Sequence, residues 1–149
     1  VTDEELMGLA ILEAGKALEH DDVPVGALVV LDGKVLSARH NERELLDDPT
    51  AHAEVLALRD AAAAVGSSRL DGAILVSTLE PCPMCAGAAL SARVGQVIFG
   101  AEDLKSGALG SLYQLGNDPR LNHEFSVTGR ILQEECGNMV ADFFDSKRI

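Results

Sequence analysis

The 149-residue chain has no tryptophan, one tyrosine and four phenylalanines. Its core must therefore be filled by Ala, Val and Leu, which suits close packing of helices on a sheet. Cysteine is scarce as well, at three. An odd count with two of them in Cys82-x-x-Cys85 argues against a disulfide framework and for metal or redox chemistry. No apolar run reaches the length of a membrane span, and no basic-then-apolar leader opens the sequence. The expectation is a soluble, cytoplasmic protein with no membrane partner. Positive charge is the last shortage: 12 Lys and Arg stand against 24 Asp and Glu, a net charge of −12. That weighs against a broad basic face of the kind that grips nucleic acid, although net charge does not locate charge. The length suits one domain, 1–149, burying roughly two-thirds of its unfolded surface.

What is present reads as alternating helices and strands. Thr2-Asp3-Glu4-Glu5 forms a capping box, and Leu6, Leu9, Ala10 and Ala17 mark the apolar face of a helix ending near Glu19. Strands 23–31 and 34–39 flank Asp32-Gly33, a two-residue hairpin turn. Asn41 to Asp47 is polar loop. Asp48-Pro49-Thr50 precedes a helix over 51–65 that Gly66 stops. A buried strand over 73–78, a helix from Pro81-Pro83 to Arg93 and a strand over 96–101 follow. Residues 104–115 are Gly-rich and fit one or two helical turns. Residues 124–127 fit an edge strand, and the apolar spacing from Arg130 onward predicts a terminal amphipathic helix. This order predicts an α/β fold: a three-layer α/β/α sandwich around a mixed sheet of about five strands.

Two short segments carry chemistry: His52-Ala53-Glu54 and Pro81-Cys82-Pro83-Met84-Cys85. One His and two Cys can hold a zinc ion and leave its fourth tetrahedral position open for water, as a catalytic site requires. Both segments fall at helix starts, where the positive end of the helix favours thiolates. Glu54, two residues from His52, cannot easily share the coordination in mid-helix. At the first turn it can border the same cavity and carry protons. The alternative is a structural zinc-binding module, which needs a fourth protein ligand. Cys136 is the only spare cysteine, and its place on the apolar stripe of the last helix reads as buried core. His20, His40 and His123 fall in loops or at element ends, where exposure is the default, and Met84 reads as packing. Asn41 either ends the hairpin strand or offers its amide to a base edge.

The combination of H-x-E with P-C-x-x-C resembles the signature of zinc-dependent nucleobase deaminases. Further blocks narrow the resemblance to the bacterial tRNA-specific adenosine deaminases. They are Val23-Pro24-Val25-Gly26-Ala27, Asp48-Pro49-Thr50-Ala51-His52, Thr78-Leu79-Glu80-Pro81-Cys82, Phe99-Gly100-Ala101, Lys105-Ser106-Gly107-Ala108, Asn122-His123 and Asp142-Phe143-Phe144. The resemblance implies a cytidine-deaminase-like fold, one zinc per chain, a homodimer, and conversion of adenosine to inosine at wobble position 34 of a tRNA anticodon loop. By position it implies His52, Cys82 and Cys85 as zinc ligands and Glu54 as proton shuttle. It also implies Asn41, Pro81 and the backbone around Ala53 at the flipped base, with Asp103, Lys105, Phe144 and Arg148 along the anticodon-loop path. Members of that family often carry a basic residue where this chain has Glu102. Lys147 and Arg148 remain as a small basic pair beside Phe144, able to hold a phosphate next to a stacked base. The acidic composition keeps a second reading open, a deaminase of free guanine, cytosine or adenosine.

Overall fold

The computed structural model describes residues 1–148. Helix α1 (Asp3–Gly15) starts at Thr2, whose hydroxyl accepts from the Glu5 N–H while Glu5 reaches back to the Thr2 N–H. The helix ends earlier than its spacing suggests. A tighter 3-10 segment (Lys16–His20) follows and closes on Asp21 in the left-handed region. The buried face is Leu6, Met7, Ala10, Ala14 and Ala17, whereas Leu9, expected inside, is 45% exposed. The face is centred one residue later than the leucines imply.

Strands β1 (Gly26–Leu31) and β2 (Lys34–His40) form the expected hairpin. Asp32 and Gly33 both take positive φ, 52° and 76°, as a turn matched to the strand twist needs. β1 begins three residues later than the apolar run, because Pro24 has no N–H to give to a ladder. Helix α2 (Ala53–Val65), strand β3 (Ile74–Leu79), helix α3 (Pro83–Ala92) and strand β4 (Gln96–Ala101) come next. A short β5 (Ser126–Thr128) and helix α4 (Gln133–Ser146) complete the order. Residues 104–115 contain no helix. They form turns closed by one isolated pairing, Leu109 with Gln114.

The sheet order is β2-β1-β3-β4-β5, antiparallel across β2, β1 and β3 and parallel across β3, β4 and β5. Helices cover both faces, so the central strands are apolar on both sides rather than alternating. Ala27, Val29, Leu75, Val97 and Phe99 pack with Ala57, Ala61, Ala86 and Ala89 of α2 and α3. Leu28, Val30, Val76 and Ile98 pack on the opposite face with Leu6, Met7, Ala10 and Cys136 of α1 and α4. The small residues let helices lie close to the strands. At Gly100 a Cβ would stand 2.3 Å from the Cys136 sulfur, which is how α4 seats on β4 and why Cys136 is core. Burial pushes the Cys136 thiol up to about 11, so it stays neutral. No helix among the described residues is long and apolar enough to cross a membrane.

Candidate active site

The site lies where the first turns of α2 and α3 meet beneath the end of β3. His52 is the N-cap of α2 and Cys82 the N-cap of α3, with Pro83 opening that helix and Cys85 one turn inside it. Pro at the first helical position is pre-set for the helix and lacks only an N–H that would have no partner there. These caps turn three donors to one point. The His52 Nδ1 is 3.7 Å from the Cys82 sulfur and 3.4 Å from the Cys85 sulfur. All three ligand atoms lie within 4.8 Å of one another. Zinc at its usual bond lengths would set a nitrogen and a sulfur about 3.6 Å apart on a tetrahedron, so the residues fit that ion. Among the described residues no other group of three or more such donors is gathered this way. Cys136 is not one of them, and the fourth protein ligand that a structural site needs is missing from the group.

The electrostatics match a site made for a cation. A hydrogen bond from the Cys85 S–H, with His52 beside it, outweighs burial and holds the Cys82 thiol down to about 4. Its interaction with Cys82, together with burial, pushes Cys85 far up. The Cys82 thiolate raises His52, against the opposing effect of burial. Two adjacent thiols, one buried and one half-buried, do not both ionise readily without a positive charge, which a divalent cation supplies. Glu54 is 4% exposed, and burial raises its carboxyl above the ordinary range.

Glu54 shares a cavity of about 200 Å³ with His52, Ala53, Cys82, Asn41, Arg43, Val25 and Glu80. The Asn41 amide is held from both sides: Oδ1 accepts from the Arg43 N–H at 3.0 Å, and Nδ2 donates to the Val23 carbonyl at 3.2 Å. One amide N–H stays available. Ala53 opens α2, where backbone N–H groups have no partner within the helix. Pro81 is buried, and its carbonyl accepts from the Ala108 N–H at 2.9 Å.

Asp103, Ser106, Val23 and Leu79 line this cavity and also a larger groove of about 770 Å³ beside it. Lys105, Phe144, Lys147 and Arg148 line only the groove. The sequence-derived residues thus divide into two adjoining spaces. Asp103 turns its carboxylate inward to the Lys105 and Ser106 N–H groups and the Ser106 hydroxyl, shaping the wall. Lys147 pairs with Asp21 and Arg148 with Asp145, while Lys105 has no ion-pair partner among the described residues. Phe144 is about half exposed and meets Phe143 edge-to-face.

Two groups of residues emerge only from the structure. The histidines expected in solvent are engaged: His20 with Asp22 at 2.7 Å, His40 with Glu13 at 2.6 Å, and His123 with the Val94 carbonyl at 2.8 Å. Each partner is supplied by another part of the fold or by a turn that brings it back. Glu80, buried at the mouth of β3, is the second, and nothing in its local sequence singles it out.

A buried carboxylate beside a His/Cys/Cys donor set suits a metal-dependent deaminase, and the model of the MafB19-like deaminase family matches residues 1–148. The chain is 47% identical to the tRNA-specific adenosine deaminase of Bacillus subtilis, covering 98% of this chain and 91% of that protein. It therefore belongs to the tRNA-specific adenosine deaminase family. A solved structure from work on A-to-I editing by tRNA A34 deaminases superposes with a TM-score of 0.87 at 41% identity, over 91% of this chain and 98% of that one. The guanine deaminase of Bacillus subtilis superposes less well, with a TM-score of 0.66 at 38% identity, over 68% of this chain and 66% of that one.

Proposed function

We propose that the protein hydrolyses adenosine to inosine at position 34 of a tRNA anticodon loop, as a cytoplasmic homodimer of single-domain chains with one zinc per chain. The observation that carries this reading is the adjacency of the two spaces, which share Val23, Leu79, Asp103 and Ser106 as walls. A base-sized cavity is lined by His52, Cys82 and Glu54, and on the other side of Asp103 and Ser106 lies a groove lined by Phe144 and Arg148. A free base needs only the cavity; a nucleotide extruded from a loop needs somewhere for its neighbours to lie. The near-full-length similarity to tRNA-specific adenosine deaminases supports the same substrate.

Zinc on His52, Cys82 and Cys85 would supply a water acidic enough to be a nucleophile near neutral pH. The chain does the rest. Asn41 and the Ala53 N–H orient the purine, and the apolar walls at Val25 and Leu79 exclude bulk water. Glu54 takes the proton of the attacking water and passes it to N1 as the oxygen bonds to C6. It then moves the second proton to the exocyclic nitrogen, the C6–N bond breaks, and ammonia leaves inosine behind. Lys105, Phe144 and Arg148 hold the flanking nucleotides.

The direct test is deamination of an anticodon stem-loop RNA carrying A34, with free adenosine, adenine, guanine and cytosine assayed alongside. Inosine at position 34 with no turnover of the free compounds is expected; turnover of a free base alone contradicts the assignment. A second expectation follows from the charges. The two spaces hold four cations, Arg43, Lys105, Lys147 and Arg148, and among the described residues all but Lys105 are already paired with carboxylates. For single-stranded RNA the log–log dependence of affinity on salt should then have a slope of about −1 to −3. A titration giving about −6 or steeper would reveal a basic surface elsewhere.

A further inference from the structure

We propose that Glu80 is a positioning residue for substrate entry: its buried carboxylate fixes the loop 103–111 that separates the base cavity from the groove. This rests on the reading of the groove as the path of an RNA loop. Glu80 is 2% exposed and sits two residues before the ligand Cys82. One carboxylate oxygen accepts from the Asp103 N–H at 3.0 Å and from the Ser111 hydroxyl. The other accepts from the Leu109 and Ser111 N–H groups, each at 3.0 Å. The next residue adds a fifth tie, from the Ala108 N–H to the Pro81 carbonyl. No cation pairs with Glu80 among the described residues, so it is held by these donors alone.

The loop contains no helix or strand. Ala108 and Leu109 are buried in the core, and turn hydrogen bonds link Gly107 to Leu112 and Gly110 to Tyr113. Among the described residues, however, Glu80 is the one side chain from outside the loop that bonds to both its Asp103 end and its 109–111 end. The same loop carries Asp103 and Ser106, which line both spaces, and Leu104 and Lys105, which line the groove. The fit is tight. A Cβ at Gly107 would lie 2.4 Å from the Glu80 carboxyl carbon and 2.5 Å from the Asp103 carbonyl. Only a group that accepts at both oxygens satisfies this arrangement. Glutamine has the same shape but would turn an N–H toward an N–H. Because Glu80 and Cys82 share one short segment, the carboxylate sets the wall of the entry at a fixed distance from the metal ligands. Its effect should fall on substrate binding rather than on proton transfer.

Glu80→Gln and Ser111→Ala, made in the full chain, test this. The readouts are zinc content, amide hydrogen exchange and steady-state kinetics on the A34 stem-loop. Expected for Glu80→Gln are about one zinc per chain, KM raised about tenfold or more and kcat within about threefold of wild type. The Leu109 and Ser111 amides should lose protection while those of β3 keep theirs. Ser111→Ala, which removes one of the four bonds and spares the buried carboxylate, should shift KM the same way by less. The double variant should fall short of the product of the two effects. A lower kcat at unchanged KM, loss of zinc, unchanged protection of the loop amides, or independent effects would each overturn the proposal. Wild-type protein on the same RNA reports separately on the substrate assignment, and the exchange measurement reads the loop whatever the substrate.

Discussion

Replacing Glu54 by Gln should lower kcat by a factor of about 10² to 10⁴ while leaving zinc content and the unfolding transition close to wild type. The carboxylate is almost fully buried, lies at the first turn of α2 beside His52, and is raised by burial toward the range in which a proton carrier works. Glutamine keeps the volume and loses the ability to accept a proton. It also removes a buried ionisable group, so no loss of stability is expected from the exchange. Inosine formation measured beside metal analysis separates the two roles. Full activity in the variant would take Glu54 out of the mechanism, and loss of zinc would make it a structural support for the donor set.

Taking away the metal should have the next largest effect. Cys85→Ala removes a fully buried sulfur from the donor group, and His52→Ala removes its one nitrogen. Either change should abolish measurable deamination and strip zinc from the purified protein. Chelation of the wild-type protein should do the same reversibly. A ligand present at about 1,000 times its dissociation constant stabilises the native state by about 4 kcal/mol, so chelation should also lower the melting temperature. The pH dependence has a definite sign. Without a cation, Cys82 is ionised above about 4, whereas Cys85 holds its proton and His52 is raised. Zinc uptake must displace the Cys85 proton at every accessible pH, and that of His52 as well where it is charged. Affinity should therefore rise about tenfold per pH unit where His52 is neutral and more steeply at the lower pH where it is charged. Calorimetry in buffers of different ionisation enthalpy counts the released protons; uptake without release would contradict the donor set.

How much of this was visible in the sequence depended on the distance over which each signal acts. The Thr2 cap, the Asp32-Gly33 turn, the Pro83 helix start and the Cys82-x-x-Cys85 pair are local patterns. Local backbone chemistry decides them. His52, 30 residues from Cys82, is joined to that pair only by the combination of two recognisable motifs. Residues 104–115 carry no periodicity, and their shape depends on a carboxylate 23 to 31 residues away, Glu80, which no spacing rule could select. The same limit explains two of the histidines: the partner of His40 is Glu13, across the junction of α1 and β2, and that of His123 is the Val94 carbonyl. It also recasts the acidic surplus. Asp22, Glu54 and Glu80 are buried, and Asp22 accepts from the Glu44 and Leu45 N–H groups at 2.7 and 3.1 Å, anchoring the loop that carries Arg43. Some of the negative charge that argued against an RNA substrate is internal scaffolding of the site. Composition cannot distinguish those carboxylates from the solvated ones.

The two cavities make the substrate the central claim, and one competition experiment addresses it. Wild-type protein is given the A34 stem-loop RNA and free guanine in a single reaction, and inosine and xanthine are quantified together over time. The account predicts inosine at position 34 with no detectable xanthine, and unreacted RNA when position 34 is guanosine. Xanthine formation with the RNA left intact would contradict it and assign the site to free bases.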